Sequence, residues 1–290
     1  MSAGFAIRRG GDRDAMFRRR RRAAVLRGML VALCVLYLAV LLLAPLAGVV
    51  WQALRPGWRV LGDTFTRSDV VHAFTLTAVI ALITVAVTTA FGVVVAWVLV
   101  RQRFRGRAFL NALVDLPFAL SPVTVGLACV LLFGRGGWFH DFFAARGIQI
   151  IFALPSMVLV TIFISVPFTI REVQPVLEEI GVEEEDAART LGASVMQTFL
   201  RVTLPNIRWG LLYGIALSAA RAIGEIGAVL VVSGLIQGRT ETATLYIYRA
   251  MEERQTASAY VVALTLAGVS VLILAAIEWV KRKRTREDEA

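Results

Sequence analysis

Two ionisable residues, Arg221 and Glu225, lie inside a run of the sequence that is otherwise apolar. They are four residues apart, so on a helix their side chains are neighbours and can form an ion pair. A lone charge at the centre of a bilayer costs roughly 2.5–3.5 kcal/mol to insert, and such residues normally face protein or water. Two roles fit the pair. Either Arg221 gives positive potential to an anion path while Glu225 orients it, or the pair is structural and fixes helix packing.

Residues for other chemistry are not arranged as a catalytic or metal site. The two lysines, Lys281 and Lys283, are not part of a phosphate-binding loop, so the sequence offers no loop of that kind for a nucleotide. The two histidines lie in separate polar connections, and the two cysteines lie in apolar runs. We therefore expect no catalytic residue, no metal and no cofactor bound by this chain.

The polar segment 172–206 separates two apolar runs and has the pattern of a helical hairpin. The four acidic residues at 183–186 favour a helix N-terminus, because the unpaired amides there carry partial positive charge. Gly192 can adopt positive φ and end that helix, and Ser194 can cap a second helix. Pro205 suits the start of the next apolar run, where its missing N–H costs nothing.

The first helix of this hairpin contains Asp186, Ala187 and Ala188, and the two small alanines let another surface approach the backbone closely. A projecting knob of small residues is typical of a segment that docks in a groove of a partner. The alternative is an amphipathic helix on the lipid surface. Four acidic residues against an anionic leaflet disfavour that arrangement.

The elements that position these residues are membrane spans. Of the 290 residues 58% are hydrophobic, and a span needs roughly 20 apolar residues. The predicted spans are 29–51, 73–100, 109–133, 151–171, 207–236 and 259–280. The chain is therefore predicted to be an all-α polytopic membrane protein with six transmembrane helices.

Prolines occur in two of these spans, at Pro117 and Pro122 in the third and at Pro155 and Pro167 in the fourth. Proline removes a backbone donor and kinks a helix, and in a membrane the freed carbonyls must lie against protein or a cavity. The bends either line the transport path or serve helix packing alone.

The net charge of +10 indicates orientation in the membrane, because Arg and Lys prefer the cytoplasmic side. Residues 1–28 contain nine basic residues, 101–108 contain four and 281–286 contain five, whereas the connections on the opposite side contain eight in total. Both termini and the 172–206 segment are therefore predicted to be cytoplasmic. The charge lies beside apolar spans, which favours this explanation over binding to nucleic acid.

The hairpin residues also match a family signature. The signature is Glu-Ala-Ala, then Gly, then Ile-x-Leu-Pro, and the chain has at the same spacing Asp186, Ala187, Ala188, Gly192, Val202, Leu204 and Pro205. The segment resembles the cytoplasmic loop of ATP-binding-cassette (ABC) importer permeases, with Asp in place of Glu and Val in place of Ile. The resemblance implies the type I ABC importer permease fold. It also implies that these residues couple the pore to its ATPase.

The resemblance extends over residues 70–280, and the segments 201–209 and 221–228 look like the sulfate/thiosulfate permeases, more closely their W-type subunit. Ile226 departs from the family, which usually has Phe there. The implied function is ATP-driven import of a tetrahedral oxyanion, sulfate or thiosulfate. Molybdate/tungstate permeases share the Arg-x-x-Gly-Glu pattern and are the alternative, although they are usually shorter by one span.

The resemblance implies partners in a bacterial plasma membrane: two copies of an ABC ATPase, a second permease subunit of the T-type and an extracytoplasmic sulfate-binding protein. Two other classes are disfavoured. An ion-coupled secondary transporter typically shows internal repeats and several ionisable groups at mid-membrane, and a membrane enzyme needs a catalytic constellation that the sequence does not show.

The sequence thus divides into four parts. They are a basic cytoplasmic tail at 1–28, the first span with its outer connection at 29–68, a permease core at 69–280 that includes the 172–206 loop, and a charged tail at 281–290.

Overall fold

The structure is a computed structural model. It describes the backbone of residues 8–288 and the side chains of residues 26–57 and 59–279. The ends of the two predicted tails, at 1–7 and 289–290, lie outside the described residues. Within the described backbone the regular structure is helical and contains no strand, which confirms the all-α class.

The helices of the described residues are numbered in chain order. They are α1 (Arg8–Leu54), α2 (Trp58–Thr66), α3 (Ser68–Arg101), α4 (Arg107–Ala119), α5 (Pro122–Phe133), α6 (His140–Ala144), α7 (Leu154–Ile180), α8 (Glu183–Thr190), α9 (Val195–Thr198), α10 (Leu204–Asn206), α11 (Arg208–Ile223), α12 (Gly227–Ser233), α13 (Ala243–Glu252) and α14 (Thr256–Asp288). A π-helical turn at Phe199–Thr203 lies between α9 and α10.

The chain divides into two compact units, Met1–Arg55 and Pro56–Ala290. In the first unit the described residues form the single helix α1, whose part Leu26–Leu54 is long and apolar enough to cross a membrane. The second unit contains every other helix.

The body of the second unit is built from three long helices, α3, α7 and α11, which pack against one another. Leu99 of α3 and Ile170 and Val173 of α7 are buried together there. α12 packs against α5 and α7, and α14 packs against α11 and α13. The long helices thus form a frame that carries the shorter ones.

The six predicted spans are present when two bent helix pairs are each counted as one span. The third span is more than kinked, because α4 and α5 meet at an angle of 109°. Ser121 has extended backbone angles (φ −63°, ψ 137°), since Pro122 sterically excludes the helical conformation in the residue before it. Pro122 then begins α5, and a span predicted as one bent rod is two helices.

The fourth and fifth spans also differ from prediction. α7 begins at Leu154 with Pro155 in its first turn, so Pro155 starts the helix and does not kink it. α7 continues to Ile180, so the first residues of the predicted 172–206 loop are helical. The fifth span breaks at residues 224–226, where α11 and α12 meet at 51°.

Small residues allow α11 to approach α7 closely. A Cβ at Gly210 would lie 2.8 Å from the carbonyl oxygen of Glu172, and one at Gly214 would lie 2.9 Å from the Cα of Thr169. The hydroxyls of Thr169 and Ser218 are hydrogen-bonded at 2.9 Å beside this contact. The glycine pair therefore serves close helix packing, as is common in membranes.

Candidate functional site

Residues 183–206 form the predicted hairpin. α8 ends at Thr190, and Gly192 follows with a φ of 86°. The Ser194 side chain accepts a hydrogen bond from the backbone N–H of Gln197 (3.3 Å), and the Gln197 side chain accepts one from the backbone N–H of Ser194 (2.9 Å). This capping box starts α9. The predictions for Gly192 and Ser194 are both confirmed.

The tip of the hairpin exposes apolar surface. The large apolar side chains around the turn that are more than half exposed are Leu191, Val195, Met196 and Leu200. Leu191 is the extreme case at 89%. Asp186 and Ala187 are exposed on α8, and Ala188 is half-buried. Exposed apolar groups close together on one projecting turn are typical of a protein–protein contact.

The second half of the hairpin is less regular than predicted. The predicted second helix is divided into α9, the π-helical turn and α10. Pro205 has no N–H to donate to the carbonyl of Arg201, and in a regular α-helix its ring would clash with that carbonyl. A wider π-type turn just before Pro205 relieves this conflict, and such turns are frequent at functional sites.

The signature residues therefore lie in two places. Asp186, Ala187, Ala188 and Gly192 belong to α8 and the turn. Leu204 packs at the base of the hairpin against the buried cluster that contains Ile207, Val202 is half-buried beside it, and Pro205 is exposed.

The base of the hairpin contains a buried ion pair that the sequence did not reveal. The Nε of Arg101, at the end of α3, lies 3.1 Å from Oε1 of Glu185. In the sequence Arg101 is one of four basic residues that indicate orientation, and Glu185 is one of four acids at a helix start. Spacing in the sequence does not distinguish Glu185 from its acidic neighbours, because its partner Arg101 is 84 residues away in the chain.

The predicted ion pair forms, but within a helix break. Arg221 Nη1 lies 2.6 Å from Glu225 Oε2, with the Glu225 side chain 2% exposed and that of Arg221 30% exposed. Glu225 Oε1 accepts a hydrogen bond from the backbone N–H of Ala228 (2.9 Å), and Thr244 donates to the Glu225 carbonyl (2.8 Å). The expectation that both residues lie inside one continuous helix is wrong. Glu225 caps the first turn of α12.

The opposite end of the second unit has its own charged network. Arg249 of α13 contacts Glu241 (2.6 Å), Glu253 (2.9 Å) and Asp69 at the start of α3 (3.4 Å). The hydrogen bond to Glu241 raises the pKa of Arg249 above its ordinary value. The network therefore ties α13 to α3 through a side chain that stays charged.

A cavity of about 710 Å³ lies near the start of α7, between α5 and the segment that contains α6. Its lining is mainly apolar, with Val130, Phe133, Ile150 and Ile151, and includes Arg135 and His140.

Comparison with known proteins gives the family. The profile of the family described as "Binding-protein-dependent transport system inner membrane component" matches residues 88–286. The chain belongs to this family. The permease is 48% identical over 246 residues to the sulfate transport system permease protein CysW of Synechocystis sp., across 85% of this chain and 89% of that protein. It is 38% identical over 242 residues to the corresponding protein CysT of Salmonella typhimurium, across 83% and 87%.

The solved structures agree on the fold. A chain of the bacterial alginate ABC transporter, in complex with an alginate pentasaccharide-bound periplasmic protein, matches with a TM-score of 0.75 at 17% identity, across 93% of this chain and 98% of that chain. This permease therefore has the type I ABC importer permease fold. It is a multi-pass membrane subunit of an ABC transporter and not an enzyme, since the ATPase of such a transporter is a separate subunit.

Proposed function

We propose that this permease is the W-type pore subunit of an ATP-driven importer of sulfate or thiosulfate. The observation that carries the proposal is the 48% identity to CysW across 85% of the chain, against 38% to CysT. The subunit conducts and transmits movement, and it binds no cofactor of its own.

The proposal assigns contact with the ATPase to the hairpin. Asp186, Ala187, Ala188 and Gly192 shape the surface presented to the motor, and Val202, Leu204 and Pro205 form the base that joins it to the core. The exposed apolar side chains at the tip support this assignment, because burying them against a partner is favourable. Two ATPase chains would serve two permease subunits, one hairpin each.

We infer places for the remaining partners at the two ends of the second unit. The contact between Arg101 and Glu185 puts the end of α3 at the hairpin, beside the other arginines of 101–108. We infer that this end is cytoplasmic, with both termini, in a bacterial plasma membrane. The opposite end, with the Arg249 network and the cavity, would receive an extracytoplasmic sulfate-binding protein. A T-type permease completes the path.

For the pair of Arg221 and Glu225 we infer a structural role at the α11–α12 break. The cap that Glu225 provides to α12 and its burial support this role. The test of a path role is Arg221→Gln in the assembled complex. Unchanged sulfate uptake with normal assembly excludes a path role, and a loss of uptake with normal assembly establishes one.

The function is tested by reconstituting the four kinds of chain into proteoliposomes. We expect ATP-dependent uptake of labelled sulfate, and ATPase activity stimulated by the sulfate-loaded binding protein. Uptake driven by an ion gradient without ATP would contradict the proposal. Stimulation by a binding protein loaded with molybdate and not by one loaded with sulfate would assign the permease to the alternative substrate.

A further inference from the structure

The side chain of Arg101 makes contacts in three directions at the base of the hairpin. Its Nε lies 3.1 and 3.2 Å from the two carboxylate oxygens of Glu185 in α8. Its two terminal nitrogens donate to the carbonyl oxygens of Leu177 (3.0 Å) and Gly181 (2.5 Å), at the end of α7. One guanidinium thus joins the ends of α3 and α7 to the first helix of the hairpin.

Glu185 extends this network to the second half of the hairpin. The Thr203 hydroxyl, in the π-helical turn, donates to Glu185 Oε1 at 2.9 Å. The side chains of Arg101 and Glu185 are only 7% and 5% exposed. The other acids of α8, Glu183, Glu184 and Asp186, are exposed. Of the four consecutive acids, Glu185 is the one that is buried, and both of its carboxylate oxygens accept hydrogen bonds.

On the α7 side the hairpin is not joined to the core by a continuous helix. α7 ends at Ile180, and Gly181 follows it with a φ of 72°, so no continuous helix leads into α8. On the other side Ile207 lies between α10 and α11 (φ −84°, ψ 0°), and helical backbone hydrogen bonds continue across it, from Ile207 N–H to the Thr203 carbonyl and from Leu211 N–H to the Ile207 carbonyl. Because the connection from α7 to α8 is not helical, the side-chain contacts at the base decide how firmly the first helix of the hairpin follows α7.

We propose that Arg101 and Glu185 are positioning residues that lock the hairpin to α3 and α7, so that movement of the ATPase at the tip is passed to these helices. Arginine suits this task because its planar fork donates several hydrogen bonds in fixed directions, which lysine does not provide. The proposal rests on the proposed function, in which the hairpin contacts the ATPase.

The test is Arg101→Lys in the reconstituted complex, with Arg171→Lys as matched control. Arg171 pairs with Asp115 (2.6 Å) between α7 and α4, without touching the hairpin. The quantity measured is sulfate transported per ATP hydrolysed. We expect this ratio to fall at least about fivefold in Arg101→Lys, in the range of typical coupling between sites, with normal co-purification of the ATPase. The control should keep the wild-type ratio. A wild-type ratio in Arg101→Lys overturns the proposal.

A second variant separates positioning from stability. The double change Arg101→Met with Glu185→Leu removes both buried charges, and such apolar replacements of a buried ion pair are often neutral for stability. If the pair is only structural, this variant restores both thermal stability and the transport ratio. If the pair positions the hairpin, stability returns and the ratio stays low. Failure of both variants to assemble would also overturn the proposal, since the pair would then be needed for folding and not for coupling.

The failure of the proposed function is recognisable separately. If the wild-type complex hydrolyses ATP but moves no sulfate, the function is refuted. If the wild-type complex transports normally and the Arg101 variants do too, only the positioning role is refuted.

Discussion

Replacing Gly214 by alanine is expected to weaken the contact between α7 and α11. The new Cβ would lie 2.9 Å from the Cα of Thr169, whereas carbon atoms in contact prefer about 3.5–4.0 Å. α11 would have to move away by roughly 0.6–1.1 Å, and overpacking of this kind costs about 1–3 kcal/mol. The same displacement would lengthen the 2.9 Å hydrogen bond between Thr169 and Ser218 until it is largely lost, which adds about 1 kcal/mol.

The assay is the unfolding free energy of the purified permease in mild detergent, with Gly268→Ala as control. Gly268 lies in α14 with no heavy atom within 4 Å of an added Cβ, so alanine there should be neutral or stabilising by up to about 1 kcal/mol. We expect Gly214→Ala to lose about 2–4 kcal/mol relative to wild type. Equal stability of the two variants would refute the reasoning about the α7–α11 contact.

Three further predictions concern the hairpin and the two charged sites. Gly192→Val forces a β-branched residue to a φ of 86°, so ATPase co-purification should fall. Gly136→Val carries a similar strain, at φ 80°, far from the hairpin, and should not change it. Glu225→Gln keeps an acceptor for the α12 cap and should retain stability, whereas Glu225→Ala should cost about 1 kcal/mol; equal losses would show that the ion pair matters more than the cap. Arg249→Gln leaves Glu241, 1% exposed, as an unpaired buried carboxylate and should cost about 3–5 kcal/mol, part of which a second change, Glu241→Gln, should restore. Thermal unfolding measures the stability of the two Glu225 variants, of Arg249→Gln and of the double variant Arg249→Gln with Glu241→Gln. If the double variant is no more stable than Arg249→Gln alone, the ion pair between Arg249 and Glu241 does not account for the loss.

Local sequence signals predicted the hairpin turn well. Gly192 and Ser194 act through their own backbone angles and through groups within three residues of them, so their roles can be derived from residue type and spacing. The positions of most spans follow in the same way, because span length and apolar composition are local properties.

The features that were not predicted depend on contacts between segments distant in the chain, or on helix ends that lie within apolar runs. Arg101 meets Glu185 because α3 packs against α7 in the folded chain. The cap from Glu225 to Ala228 requires a break that an apolar run conceals, and the 109° angle between α4 and α5 exceeds the kink expected of a proline. In each case periodicity indicated a helix but carried no information on where the helix stops or what its end contacts.

The most direct test of the account is whether the hairpin tip touches the ATPase in the assembled transporter. A photo-reactive amino acid replaces Met196, which is 65% exposed at the tip, or Trp138, which is 86% exposed before α6. Trp138 lies in the connection between α5 and α6 that leads to the start of α7, and the hairpin follows the other end of α7. The account predicts a covalent adduct with the ATPase from position 196 and none from position 138. Absence of an adduct from position 196, in a complex that transports sulfate, would contradict it.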